Sequence, residues 1–202
     1  MEIIIYVLSI LAAYLIGSIS PSILISKLKG KNIMKEGSGN AGATNAIRVL
    51  GIKLGLCVFA LDVIKGFIIA FVPLMLYGET LSSCCALAVV VGHTFSIFHK
   101  FKAGKGVAPT IGAVLAIDWR ISLLCVVFGL VLVVFTKRVS IGSISAAIVF
   151  PVSSYFLHFS FLYFSIALAV LVIFNHRSNI VRLFKGKEQP LNVFTKKNCN
   201  KK

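Results

Sequence analysis

Seven apolar runs, at 3–25, 52–76, 81–98, 107–117, 121–135, 141–157 and 159–174, alternate with short polar gaps along this chain. A helix that spans a membrane needs roughly 20 apolar residues, because each residue rises ~1.5 Å through a hydrocarbon core ~30 Å thick. Several runs are short by that measure, and 107–117 is short enough to suit a re-entrant helix. Composition agrees with a membrane reading: 58% of the 202 residues are hydrophobic and only 13% charged, with a mean hydropathy of +0.96, far from ordinary soluble domains. The expectation is an all-α integral membrane protein, a single domain over 1–202 built as a compact bundle of about seven transmembrane helices.

A net charge of +15 invites a nucleic-acid reading. The cations, however, sit in gaps between apolar runs instead of covering a solvated surface, so membrane topology explains them better and no nucleic-acid partner is expected. Nineteen of the twenty-one Lys and Arg fall in four segments: 26–53, 99–105, 137–138 and 176–202. If the fourth and fifth runs both cross, with Asp118, Trp119 and Arg120 as the turn, all four segments share one face. The positive-inside rule makes that face cytoplasmic. This predicts seven crossings with the N-terminus outside, the C-terminus inside, and Glu79 and Asp118 on the outer face.

The first run lacks the basic start and cleavage pattern of a secretory signal, so it is expected to stay as a helix. Cys57, Cys84, Cys85, Cys125 and Cys199 form no C-x-x-C pair and read as small hydrophobes. Residues 190–202 read as a polar, poorly ordered cytoplasmic tail.

Three polar islands interrupt the apolar pattern on the cationic face. The first, GSGNAGATNAIR at 37–48, places Gly37, Gly39 and Gly42 in a G-x-G-x-x-G spacing. A membrane helix and a basic loop precede it where a dinucleotide fold needs a strand, so that motif is not met. Its physics survives: glycines let backbone N–H groups approach an anion, Ser38, Asn40, Thr44 and Asn45 add polar side chains, and Arg48 adds a planar fork suited to phosphate. The second island, GHTFSIFHKFKAGKGVAP at 92–109, carries His93 and sets Lys105 between Gly104 and Gly106 where a helix begins, a place that favours a bound anion. The third, HRSNIVRLFKGKE at 176–188, puts His176 and Asn179 on one helix face and includes Glu188, one of only six acids. Asp62 and Lys65, i and i+3 in the second run, read as a structural ion pair.

In sequence order these islands resemble the bacterial acyl-phosphate:glycerol-3-phosphate acyltransferases, the PlsY family. The D-x-x-K-G at 62–66 and the R-x-S-x-x-S at 138–143 fit the same pattern, and the resemblance extends over 14–188. It implies transfer of a fatty acyl group from acyl phosphate to the 1-hydroxyl of glycerol 3-phosphate, giving lysophosphatidic acid and phosphate, in a bacterial cytoplasmic membrane with the site facing the cytoplasm. Acyl phosphate, glycerol 3-phosphate and membrane lipid are the implied partners, with no cofactor and no metal. By the same resemblance Ser38, Asn40, Thr44 and Asn45 with neighbouring amides hold a phosphate, Arg48 and Lys105 neutralise charge, and His176 and Asn179 face the reacting centre. Ser143 is a further glycerol-phosphate contact, and Glu188 orders the third island.

Ser96, Ala103 and Pro109 depart from the family pattern, as does GSISP at 17–21. Ala103 bears most on function, since its methyl group is expected to crowd the backbone's approach to glycerol phosphate. No residue reads as a general base, which leaves a substrate phosphate to take the hydroxyl proton. The competing reading is an anion transporter, but transporters set their sites near the midplane between repeats, whereas these islands crowd one face.

Overall fold

The structure is a computed structural model that describes residues 2–191. Of the tail expected at 190–202, residues 192–202, Cys199 among them, lie outside the described residues, whereas Leu191 is buried and donates its N–H to the Lys137 carbonyl at 2.9 Å. Ten α-helices and no strand occur among them: α1 (Glu2–Ser18), α2 (Pro21–Leu28), α3 (Ala43–Leu50), α4 (Ile52–Tyr77), α5 (Glu79–Thr94), α6 (Val107–Ile117), α7 (Trp119–Thr136), α8 (Val139–Leu157), α9 (Leu162–Asn175) and α10 (Arg177–Phe184). Backbone chemistry sets the breaks. Gly51, Gly78 and Gly106 take positive φ at helix junctions, Pro21 opens α2, and the Asp118 carboxylate accepts from the Arg120 N–H to cap α7.

Five helical segments are long and apolar enough to cross a membrane, namely Glu2–Leu28, Ile52–Tyr77, Glu79–His99, Trp119–Thr136 and Val139–Leu157. A sixth forms if Phe159–Asn175 and Arg177–Phe184, bent by 56°, count as one span. Helix α6 is short, as the sequence suggests. Segment Glu79–His99 is the centre of the bundle, since 67% of it is buried against 33% or less for the other four. The rest turn Leu, Ile, Val and Phe outward, as on Ile3, Leu56, Leu130 and Val152, which is the surface a lipid solvent selects.

Small residues let the helices touch without a water-driven core. At Gly17 an added Cβ would strike the Val89 carbonyl of α5, and at Gly92 of α5 it would strike the Tyr14 carbonyl of α1. The same reciprocity joins α4 to α6, with Gly66 against the Pro109 carbonyl and Gly112 against the Val63 carbonyl. Gly129 and Gly142 bring α7 against α8 in the same way.

One end of the bundle is tied by charge. His158 Nε2 lies 2.9 Å from Glu79 and its Nδ1 3.3 Å from Asp118, while Arg120 grips Asp118 at 2.7 and 3.1 Å. The α4–α5, α6–α7 and α8–α9 turns therefore meet there, and the three polar islands gather at the other end.

Candidate active site

The first island folds around an amide. Gly37 and Gly39 take φ of 60° and 68° and bend the chain so that the Ser38 N–H donates to Asn45 Oδ1 at 2.8 Å. The same side chain donates to the Ile33 and Glu36 carbonyls, each at 3.0 Å. Asn45 is thus committed to building the loop, and it holds Ser38 over the start of α3. Gly42 caps that helix, whose first turn, Ala43 and Thr44, faces a cavity of about 130 Å³. Arg48 follows one turn later on the same face. Its Nη2 donates to the Gln189 carbonyl at 3.2 Å, and its buried Nε has no hydrogen-bond partner among the described residues.

Residues 103–106 of the second island are stitched to the end of α5 by N–H bonds from Ala103 to the Thr94 carbonyl at 3.1 Å and from Gly104 to the His93 carbonyl at 3.0 Å. Ala103 in turn accepts from the Ala41 N–H at 3.2 Å, which joins the first two islands. Its methyl does not line the cavity. It packs in a buried cluster with Ile23, Ala41, Ala46 and Val58, so the expected crowding of the phosphate is diverted into the core. Ser96 uses its hydroxyl to donate to the Ser18 carbonyl at 2.7 Å, tethering α1.

Gly106 starts α6 at φ 87° and aims the Lys105 ammonium into the cavity, where it donates to Asn179 Oδ1. Burial pulls the Lys105 pKa down to about 8, with Glu188 opposing and Arg182 and Arg48 reinforcing the shift. His93 sits behind this loop. Its Nδ1 is 3.2 Å from Asp62, which pairs with Lys65 at 3.0 Å, the ion pair expected from sequence. Lys65 also donates to the Gly17 and Ile19 carbonyls at 3.1 and 2.9 Å.

The third island begins where α9 bends into α10. His176 Nδ1 is 2.7 Å from the Val172 carbonyl; a carbonyl only accepts, so the proton sits on Nδ1 and Nε2 carries the lone pair, while burial, reinforced by the Lys105 charge, pulls the ring's pKa down to about 4 and keeps it neutral. Asn179 donates to Glu188 Oε1 at 2.6 Å, Ser140 donates to the same oxygen at 2.8 Å, and Arg182 Nε donates to Oε2 at 2.7 Å. Burial pushes the Glu188 carboxyl up, but these hydrogen bonds and the Arg182 charge outweigh it and leave it below the usual range. Glu188 therefore orders α10 and the start of α8.

Thirteen of the predicted residues line the one cavity: Ser38, Asn40, Gly42, Thr44, Asn45, Arg48, His93, Lys105, Gly106, Ser143, His176, Asn179 and Glu188. Gly37, Gly39 and Gly104 lie behind it and shape its wall. The sequence reading passed over Ser140, though the R-x-S-x-x-S motif contains it, and over a geometric fact. The first turns of α3, α6 and α8 all line the cavity, through Ala43 and Thr44, Val107 and Ala108, and Val139 and Ser140. Three helix N-termini thus converge on one space, each bringing unpaired N–H groups and the positive end of its dipole. With Arg48 and Lys105 beside them, the cavity is built to hold anions.

From the polar cavity an apolar groove of about 270 Å³ runs between α6, α7, α8 and α9. The two share Phe59, Val107, Val139 and Ser143. A charged anchor that opens onto a greasy slot fits a molecule with a phosphate head and a hydrocarbon tail.

Similarity to known proteins covers the same residues. The glycerol-3-phosphate acyltransferase family matches residues 7–186. The chain is 43% identical to the glycerol-3-phosphate acyltransferase of Thermoanaerobacter pseudethanolicus over 188 residues, 92% of this chain and 95% of that protein. It is 43% identical to glycerol-3-phosphate acyltransferase 2 of Thermotoga maritima over 184 residues, 90% and 94% of the two chains. Crystal structures of PlsY, an integral membrane glycerol 3-phosphate acyltransferase, in its glycerol 3-phosphate and lysophosphatidic acid forms superpose with TM-scores of 0.89 and 0.86 at 37% identity, covering 92% of this chain and 94% of theirs. The first two islands and residues 176–186 of the third lie within the stretch that the family matches, and on that footing this chain belongs to the glycerol-3-phosphate acyltransferase family.

Proposed function

We propose that the chain transfers a fatty acyl group from acyl phosphate to the 1-hydroxyl of sn-glycerol 3-phosphate, releasing lysophosphatidic acid and inorganic phosphate, as the first acylation of phospholipid synthesis. The observation that carries this reading is the pairing of Arg48, with an unspent Nε, and Lys105 in a cavity framed by three helix N-termini. Both substrates are phosphates, and both need charge neutralised before the two anions can meet. Close relatives bear the name glycerol-3-phosphate acyltransferase, and PlsY has been seen with glycerol 3-phosphate and with lysophosphatidic acid.

The chemistry is an acyl substitution. The glycerol hydroxyl oxygen bonds to the acyl carbonyl carbon, the bond from that carbon to the phosphate oxygen breaks, and phosphate leaves with its electron pair. The hydroxyl proton passes to a phosphate oxygen. A mixed anhydride carries its own leaving group, so the protein's work is positioning and charge stabilisation. Ser38 and the first-turn amides of α3 hold one phosphate. Arg48 and Lys105 bridge the two anions. Asn179 is aligned by Glu188, and His176 presents Nε2 to the reacting centre. Gly42 and Gly106 keep the approach to the amides open, Asn40, Thr44 and Ser143 complete the polar wall, and Asn45 and His93 hold the loops from behind. The groove takes the acyl tail.

Seven crossings in the bacterial cytoplasmic membrane, with the N-terminus outside and the site facing the cytoplasm, complete the proposal. The meeting of Glu79, Asp118 and His158 at the end opposite the islands supports it, because that parity requires those turns to share a face. Purified protein in nanodiscs with palmitoyl phosphate and labelled glycerol 3-phosphate should give lysophosphatidate and phosphate in equal amounts. Absence of product with acyl phosphate as sole donor overturns the reading, and impermeant thiol labelling that reaches cysteines at positions 36 and 79 from the same side overturns the topology.

A further inference from the structure

We propose that Phe150 is the floor of a gauge that sets the length of the acyl chain this protein accepts; this rests on the reading that the groove takes the acyl tail. On α8 the groove is lined by Val139, Gly142, Ser143, Ala146, Ala147 and Phe150. Their spacing keeps them on one helix face. Between Val139 at the mouth and Phe150 at the end, every residue of that face is small. The bore is open for the whole distance and then meets a ring.

The depth is set by helix geometry. Phe150 lies eleven positions beyond Val139, a rise of about 16.5 Å, and this is about half of a ~30 Å hydrocarbon core. A single leaflet has that depth, so the groove matches the chains that fill one. Gly129 and Gly142 keep it open where α7 and α8 cross: a Cβ on Gly142 would collide with the Gly129 carbonyl, so the two helices sit as close as backbones allow while the space beyond stays free.

The floor is solid. Phe150 is 4% exposed, its ring lies 5.8 Å from that of Phe161, and both belong to a buried cluster with Val114, Ile121 and Leu168. A chain end that reaches Phe150 has no further cavity to enter without displacing packed side chains, which costs more than leaving a methylene outside. Chains that stop short leave part of the groove uncovered and lose burial. Discrimination of at least about tenfold per misfitted methylene is the scale of such pockets.

Two substitutions move the floor in opposite directions. Ala147→Phe places a ring three residues nearer the mouth, about 4.5 Å. Phe150→Leu lowers the floor without emptying it. Each variant receives an equimolar mixture of dodecanoyl, hexadecanoyl and icosanoyl phosphate, and mass spectrometry reads the ratio of products, which does not depend on how much protein folds. Ala147→Phe should shift the dodecanoyl-to-hexadecanoyl ratio upward by at least about tenfold, and Phe150→Leu should raise the icosanoyl share. In parallel, thermal stabilisation by the matching lysophosphatidates reports tail binding whatever the donor. Product ratios and stabilisation that stay as in the parent protein in both variants overturn the gauge. If no acyl phosphate is consumed but the lysophosphatidate preference moves as expected, the donor reading falls and the gauge stands.

Discussion

Lys105 and Asn179, 74 positions apart in the chain, share a hydrogen bond at the centre of the site, from the ammonium to the amide oxygen. The bond holds the second and third islands together, and its donor is a lysine whose burial has lowered its pKa to about 8. A lysine is charged below its pKa, so the anion-binding form prevails below about pH 8 and is lost as pH rises through it. The kcat/KM for glycerol 3-phosphate should therefore fall on the alkaline side of pH 8. A bound phosphate favours the ammonium and pushes its pKa up, so kcat at saturation should hold to higher pH. Steady-state profiles of both parameters check this; a flat kcat/KM between pH 7 and 9 removes Lys105 from anion binding. In Lys105→Arg the inflection should vanish along with most of the activity, since a planar fork does not take the place of a compact ammonium between two glycines.

Arg48 and the exposed lysines of the second island should separate cleanly. Arg48 reaches into the cavity with a buried, unpartnered Nε, whereas Lys100 and Lys102 point into solvent away from it. Losing one charge-assisted hydrogen bond costs roughly 1.5 to 3 kcal/mol, or about tenfold to a hundredfold in kcat/KM. Arg48→Ala and Ser38→Ala should fall in that range while inserting normally, and Lys100→Ala and Lys102→Ala should turn over like the parent protein. Near-parental turnover by Arg48→Ala would sever that residue from the chemistry.

Much of this site was legible in the chain because polar residues are conspicuous in apolar surroundings. Ser38, Arg48, Lys105 and Asn179 stood out as donors on one face of a membrane protein, and the structure brings them to one cavity. What spacing alone did not carry was direction. Asn45 reads as a phosphate donor, yet its amide is used on Ser38, Ile33 and Glu36, and Ala103 reads as an obstruction although its methyl turns into the core. Side-chain direction in a loop depends on φ at its glycines, which composition does not reveal. The convergence of α3, α6 and α8 depends on helix crossing at glycine pairs, a tertiary fact. The groove was hidden for a similar reason, since Gly142, Ala146 and Ala147 look like any other small membrane residues until they face a gap.

Gly104 should tolerate no side chain, because a Cβ there would overlap His93 Nε2. His93 has no room to retreat: its Nδ1 is held between Asp62 at 3.2 Å and Lys65 at 3.3 Å. In Gly104→Ala the loop itself must move, carrying Lys105 with it, at a cost of about 1 to 3 kcal/mol for overpacking. A raised KM for glycerol 3-phosphate is the expected result. Gly78→Ala serves as control, for nothing lies within 4 Å of its added Cβ and its positive φ of 86° strains the backbone far from the site. If the two variants lose stability alike and neither changes KM, the loop is not set by His93.

Activity should survive EDTA and should depend on acyl phosphate instead of acyl-CoA. A magnesium ion bound beside phosphates wants free carboxylates, and the cavity has two acids, both already engaged. Asp62 faces Lys65 and His93 at 3.0 and 3.2 Å, and Glu188 accepts from Ser140, Asn179 and Arg182. On the proposed reading neutralisation falls instead to Arg48, Lys105 and the helix N-termini that line the cavity. The donor follows from a related argument. A thioester donor gives up a thiolate, and the carboxylate-backed histidine of many acyl-CoA acyltransferases, read in sequence as His-x-x-x-x-Asp, is absent here. His93 does meet Asp62, but its Nε2 is packed against Gly104 and is closed to a hydroxyl. With that nitrogen closed off, the donor expected is one that brings its own activation, as an acyl phosphate does when its phosphate leaves as a stabilised anion. Parallel assays with palmitoyl phosphate and palmitoyl-CoA, each with and without EDTA, should give product only with the phosphate and at equal rates in both conditions; robust turnover with the thioester, or loss of activity on chelation, would mean that the anion cradle works in some other way.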